Sequence, residues 1–214
     1  MHYRRDFMGN LLITWHGHSC FTVSYHNYSI VLDPYAPGSV PGLAPLSLTA
    51  NRVLCSHEHS DHGFTEAVSV KEPQGPNPFN IMKIDTYHDD AQGTLRGANR
   101  IHILEAGDFR VAHMGDLGCV LTNQQMDQLK RLDAILVPVG GYYTIDATQA
   151  KALVMALSPR VVIPMHYRSD TFGYPVIGRL EEYTSHCNDV VTYNTNTLVL
   201  DKHLKSQTAV LTLA

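Results

Sequence analysis

The stretch Ser56-His57-Glu58-His59-Ser60-Asp61-His62 decides how the rest of this chain is read. Three imidazoles and two carboxylates fall within six residues, directly after the β-rich run 51–55. Side chains alternate along an extended segment, so His57 and His59 project to the same side. Asp61 and His62 come where the chain turns toward a helix, and they face a neighbouring point in space. One segment therefore offers two donors to one cation and two to another. Imidazole nitrogens and carboxylate oxygens are donors that transition-metal sites use, so the spacing points to metal binding.

The bulk composition agrees with that reading and narrows it. At 214 residues, 44% hydrophobic and 17% charged, the chain suits one soluble globular domain. Its 13 histidines are an excess of the residue that most often ligates transition metals. A formal net charge of −4 argues against a general nucleic-acid binder, whose surface normally carries a basic excess. No apolar run reaches bilayer length. Arg4 and Arg5 precede the apolar Leu11-Leu12-Ile13, but Gly9 and Asn10 interrupt the run where a secretory signal needs a longer one. Cys20, Cys55, Cys119 and Cys187 are scattered with no C-x-x-C pair, which fits reduced thiols. A cytoplasmic location is the expectation.

Working outward, runs 11–15, 20–25 and 29–32 have strand character. A short helix is expected over 64–68, and a proline-rich surface loop over 71–78. Strands are expected over 81–86, 100–104 and 109–113, the last following the turn Ala106-Gly107-Asp108. The rhythm then changes. A helix capped by Thr122 is expected over 122–129, a buried strand over 134–139, and the strongest helix over 146–157 with Ala150, Leu153, Val154 and Leu157 on one face. A strand over 160–164 and short strands over 190–213 complete the pattern, which reads as two β-layers with helices outside.

His57, His59, Asp61 and His62 form an H-x-H-x-D-H pattern that resembles the central motif of the metallo-β-lactamase superfamily. The likeness extends to Asp33 after Val31-Leu32, to the Gly115-Asp116 step and to His166 in Ile163-Pro164-Met165-His166. Gly17-His18-Ser19, His113-Met114-Gly115-Asp116 and Pro138-Val139-Gly140-Gly141 are similar to a small branch related to ascorbate-6-phosphate lactonase. The resemblance implies an α/β fold, an αββα sandwich of two mixed β-sheets packed face to face with helices outside, as one domain over 1–214.

It also implies a site. One cation falls to His57, His59 and His88, a second to Asp61, His62 and His166, and Asp116 bridges them. His88 is preferred over His102, which sits inside an expected strand, and over His113, which stands beside Gly115-Asp116. Two divalent ions are implied, zinc first, with manganese or iron also accommodated because no cysteine holds a ligand position. Hydroxide made available between the ions is the implied nucleophile, with Asp61 orienting it as the catalytic residue. Asp33 is expected to accept a hydrogen bond from a ligand histidine. His18, His113 and Tyr143 either face the substrate or simply pack.

The leading reading is a hydrolase of a small ester-like bond, a lactone or phosphoester, acting on a small molecule and not on a membrane. A nuclease or nucleotide phosphodiesterase is the alternative within the same chemistry. A non-catalytic metal-binding or sensing module is the alternative outside it. Substrate and oligomeric state are not encoded in these motifs.

Overall fold

The computed structural model describes residues 9–213, so Arg4 and Arg5 lie outside the described residues. In chain order the first half contains β1 (Leu11–Gly17), β2 (Cys20–Tyr25), β3 (Tyr28–Leu32), β4 (Leu48–Ala50), β5 (Arg52–Leu54), β6 (Val68–Val70) and β7 (Asn80–Tyr87). The second half contains β8 (Ala98–Ala106), β9 (Phe109–His113), α1 (Asn123–Gln128), β10 (Ala134–Pro138), α2 (Ala147–Leu157), β11 (Val161–Met165) and α3 (Leu180–Thr184). β12 (Val190–Thr192), β13 (Thr197–Leu200) and β14 (Gln207–Val210) close the chain. No helix among the described residues is long and apolar enough to cross a membrane, and all four cysteines are free.

The strands form a five-stranded sheet in the order β13-β1-β2-β3-β5 and a seven-stranded sheet in the order β12-β14-β11-β10-β9-β8-β7. Both are mixed. In the first, β3 and β5 run parallel while β1, β2 and β13 pair antiparallel; in the second, β9, β10, β11 and β14 run parallel. Leu11 and Ile13 of β1, Phe21 of β2 and Ile30 of β3 share one core with Ile101, Ile103, Val111 and Leu136 of the other sheet. That shared core is the sandwich interface.

The burial pattern of each strand follows from what covers it. β1 alternates buried and half-buried residues, whereas every residue of β10 and β11 is buried, as parallel strands covered on both faces must be. α2 supplies part of that cover through Ala147, Ala150 and Leu157, with Leu153 and Val154 packed partly against the core. Its start is fixed by a capping box, Asp146 accepting from the Gln149 N–H at 2.8 Å. β3 turns Ile30 and Leu32 into the main core and Val31 to the opposite face. There Val31 and Cys20 pack with Tyr35, Val40, Ala50 and Val68, so a small ribbon of β4 and β6 covers the outside of the first sheet.

Two expectations change. The helix expected over 64–68 is only a 3-10 turn at Thr65–Ala67, because Phe64 offers no side-chain cap and Val68 is already extended as the start of β6. The run 134–139 shortens to Ala134–Pro138, and Thr122 does cap α1 through a box with Gln125. β4, β6 and α3, each of three to five residues, carry too little periodicity to be read ahead.

Leu136 sits fully buried at the centre of β10. Leu136→Ala should destabilise the protein by about 2–5 kcal/mol, through lost transfer energy and the cavity left behind. Denaturant unfolding of the two proteins measures this, and a loss under about 1 kcal/mol would contradict the packing described.

Candidate metal centre

Every candidate donor follows the end of a strand. His18 comes after β1, Asp33 after β3, His57 to His62 after β5, His88 after β7, Asp116 after β9 and His166 after β11. Parallel strands whose carboxyl ends point one way leave a crevice there, and loops beyond it are free to carry chemistry. His18, Asp33 and His166 all adopt left-handed backbone, with φ of 50°, 46° and 54°. Non-glycine residues rarely do so, and the clustering of three at one end marks where the fold accepts strain to aim side chains.

The ring nitrogens and carboxylate oxygens converge. His57, His59 and His88 bring donor atoms within 4.8 Å of one another, as do His18, Asp61, His62 and His166. A third set, His57, His62 and Asp116, overlaps both. Oδ2 of Asp116 lies 3.2 Å from Nε2 of each of His62, His88 and His166. Thus the seven residues expected from the sequence meet at one point, and His18 joins them. Its Nε2 is 3.4 Å from Asp61 Oδ2, and its ring centroid is 4.1 Å from that of His166.

The second nitrogen of several rings is tied back into the protein, which fixes the tautomer. Nδ1 of His62 donates to Asp33 Oδ2 at 2.8 Å, and Nδ1 of His88 donates to the Tyr143 carbonyl at 3.0 Å. Nδ1 of His57 stands 2.9 Å from Ser56 Oγ, which donates onward to Asp33 Oδ2 at 2.5 Å. Asp33 also accepts the Ser56 N–H at 2.7 Å. This turns the Nε2 atoms toward the centre. Asp116 is set by its N–H on Asn99 Oδ1 at 2.9 Å, and buried Asn99 donates to Thr86 Oγ1 and the Met114 carbonyl.

His113 is different. Its Nε2 donates to the Ser19 carbonyl at 2.8 Å and its Nδ1 accepts from the Gly115 N–H at 3.1 Å, so both nitrogens are spent on backbone. His113 neither completes the first donor group nor faces a substrate. His102 is buried on β8, opposite His113 in the strand pairing.

Charge explains the remaining balance. Burial opposes ionisation of Asp33, but His113, His62 and Ser56 outweigh it and hold the carboxyl at about 2. Burial would also lower His62, yet Asp116 and Asp33 prevail and raise it well above its ordinary value. For His57, burial with His62 beside it outweighs Asp116 and Asp33 and brings it to about 3, and burial with His166 brings His18 to about 4. The centre therefore sets ionised carboxylates beside His57 and His18, which burial keeps neutral, and beside His62, whose hold on a proton they strengthen. His57 Nε2, His62 Nε2, His166 Nε2 and Asp116 Oδ1 are buried without a hydrogen-bond partner of acceptable geometry. Buried polar atoms are rarely left so, and a divalent cation is the partner these donors fit.

A cavity of about 390 Å³ opens over the centre, lined by His59, Asp61, Tyr143, Tyr174, Leu95 and Arg96 among others. Tyr174 and Arg96 carry no sequence motif. Tyr174 Oη lies 2.7 Å from the Ser39 carbonyl and 3.1 Å from Asp61 Oδ2, which share its one proton. The close packing behind the cavity needs glycine at 140, where a Cβ would overlap the His166 carbonyl oxygen.

Known proteins resemble this chain in sequence and fold. The profile of the Beta-lactamase superfamily domain matches residues 12–166. A UPF0173 metal-dependent hydrolase of Thermoplasma acidophilum is 27% identical over 193 residues, covering 76% of this chain and 85% of the relative. A Thermotoga maritima crystal structure, assigned to the Zn-dependent hydrolases of the metallo-β-lactamase superfamily, superimposes with a TM-score of 0.75 at 29% identity, covering 94% of this chain and 98% of that one. The short form of human tRNase Z shares the fold alone, with a TM-score of 0.54 at 8% identity over 73% and 92% of the two chains. With that profile running from β1 to the last candidate donor, the chain belongs to the metallo-β-lactamase superfamily and is a metal-dependent hydrolase.

Proposed function

We propose that this hydrolase works through two divalent cations, zinc foremost, and cleaves a small ester-like bond in a lactone or phosphoester. One cation falls to His57, His59 and His88, the other to Asp61, His62 and His166, with Asp116 between them. The observation that carries the reading is the position of Asp116, whose Oδ2 is equidistant at 3.2 Å from one imidazole of the first group and two of the second. Manganese or iron would satisfy the same nitrogen and oxygen donors.

When bound, such cations supply a water acidified to a pKa of about 7 and Lewis acidity toward a substrate oxygen. The chain's own residues do the rest. Asp61 stays ionised against the cost of burial because His18 and His62 stabilise its charge, so its oxygens serve as acceptors that orient an attacking water. His18, buried behind the cavity with its Nε2 3.4 Å from Asp61 Oδ2, positions that carboxylate. Tyr174 also restrains Asp61 through its hydroxyl. In the hydrolysis, water adds to the carbonyl or phosphoryl centre, the bond to the ester oxygen breaks, and that oxygen takes up a proton.

Equilibrium dialysis against zinc should give two ions per wild-type chain, one for His88→Ala and a marked loss at both positions for Asp116→Ala. A wild-type value of one at saturation would overturn the binuclear reading. Asp61→Ala should lower kcat on lactone or phosphoester substrates by about a hundred-fold or more while the protein stays folded. A variant that keeps wild-type turnover would remove Asp61 from the chemistry and favour a metal-binding module.

Asp33 supports the centre without reaching it. Asp33→Asn removes the charge that holds Ser56 and His62, and zinc affinity measured against a competing chelator should fall about 10–100-fold. Unchanged affinity would reduce Asp33 to a turn-former before Pro34.

A further inference from the structure

The loop between His88 and Asn99 is built around a buried carboxylate. Asp89 accepts the backbone N–H groups of Ala91 and Gly93 at 2.9 Å, of Leu95 at 3.2 Å and of Arg96 at 2.7 Å. The His88 N–H donates to the Gly97 carbonyl at 3.1 Å, closing the loop onto a candidate metal donor. Arg96 is therefore held at a fixed place beside the centre. Among the described residues it is the one lysine or arginine that lines the cavity.

Its guanidinium is spent on nothing inside the protein. Among the described residues no carboxylate lies within ion-pairing distance, and its side chain makes no hydrogen bond; its one contact of note is the Tyr143 ring, 5.7 Å from Cζ to the centroid. By contrast Arg100, in the adjoining depression, is paired with Asp85 at 2.9 Å. An arginine resting on an aromatic face keeps its in-plane N–H edges free and pre-oriented, so little entropy is lost when they bind.

We propose that Arg96, backed by Tyr143, is the specificity-determining residue of this site, and that it receives a free carboxylate carried by the substrate away from the scissile bond. The proposal rests on the hydrolytic reading above and names its substrate class: a small ester or lactone of a dicarboxylic type, with one acyl group presented to the metal centre and one carboxylate to Arg96. A carboxylate is satisfied by a single two-pronged donor. A terminal phosphate has three oxygens and is usually met by a helix N-terminus or several cations, and the cavity holds one cation. The volume of about 390 Å³ suits a molecule of this size.

The test uses zinc-loaded protein and three para-nitrophenyl esters of equal length, ending in a carboxylate, a neutral amide or a phosphate. For wild type, kcat/KM on the carboxylate ester should exceed that on the amide by about 10–100-fold, mainly through KM. In Arg96→Ala the ratio should fall to near one, and in Arg96→Lys it should recover only in part, since lysine lacks the fork. Calorimetric titration with glutarate, which needs no turnover, should show a matching loss of affinity in Arg96→Ala. A wild-type ratio near one, a ratio unchanged in Arg96→Ala, or preference for the phosphate ester overturns the proposal while hydrolysis stands. Absence of turnover on all three esters counts against the hydrolytic reading instead. Glutarate then decides alone: Arg96-dependent binding supports the carboxylate site, and equal binding by wild type and Arg96→Ala overturns it.

Discussion

Two ionised carboxylates, Asp33 and Asp116, are buried at one end of a β-sandwich with 0% and 1% exposure. A carboxylate removed from water costs several kcal/mol unless charge and hydrogen bonds compensate it. Asp33 is compensated by Ser56, by His62 and by the nearby His113. Asp116, whose backbone N–H donates to Asn99 Oδ1, has three imidazoles around one carboxylate oxygen, while its other oxygen has no partner. The imidazoles outweigh burial and stabilise the charge of Asp116, yet one of its oxygens is left without a partner. That unpartnered oxygen, beside buried ring nitrogens that also lack partners, is one that a divalent cation would satisfy.

Much of this was legible in one segment because the donors of the central motif are neighbours in sequence. The expected extended run gives way to bends after β5 ends at Leu54, yet the short spacing still keeps the rings of His57 and His59 4.6 Å apart. Asp33, Asp116 and His166 were readable only by likeness, since each is a single residue after a strand. His113 was ambiguous for the same reason: proximity to Asp116 in sequence says nothing of which nitrogen is free, and hydrogen bonds to Ser19 and Gly115 decide it.

The residues that escaped the sequence share a cause. Tyr174 reaches Asp61 across 113 positions, and Arg96 meets Tyr143 across a long separation, each from a loop whose course no periodicity encodes. The loop carrying Arg96 depends on Asp89, whose role as acceptor of four backbone N–H groups needs the folded turn to exist. The covering ribbon of β4 and β6 was missed because three-residue strands show no period, and their pairing joins segments twenty residues apart. By contrast the buried runs of β10 and β11, and the capped α2, announce themselves locally.

The site is thus assembled by two kinds of constraint that act at different ranges. Sheet pairing fixes the depth at which His18, Asp33, Asp116 and His166 leave their strands, and the left-handed turns at three of them aim the side chains inward. That part is rigid, because the shared core of both sheets would have to move to alter it. The rim is set instead by loops, by Asp89 on one side and by the Tyr174 segment on the other. Side chains on these loops decide what the cavity accepts, although the loops also hold His88 and Asp61 in place. In this chain the rim contributes one uncommitted positive charge to a cavity otherwise lined by histidine, tyrosine, acid, Ser60 and Leu95.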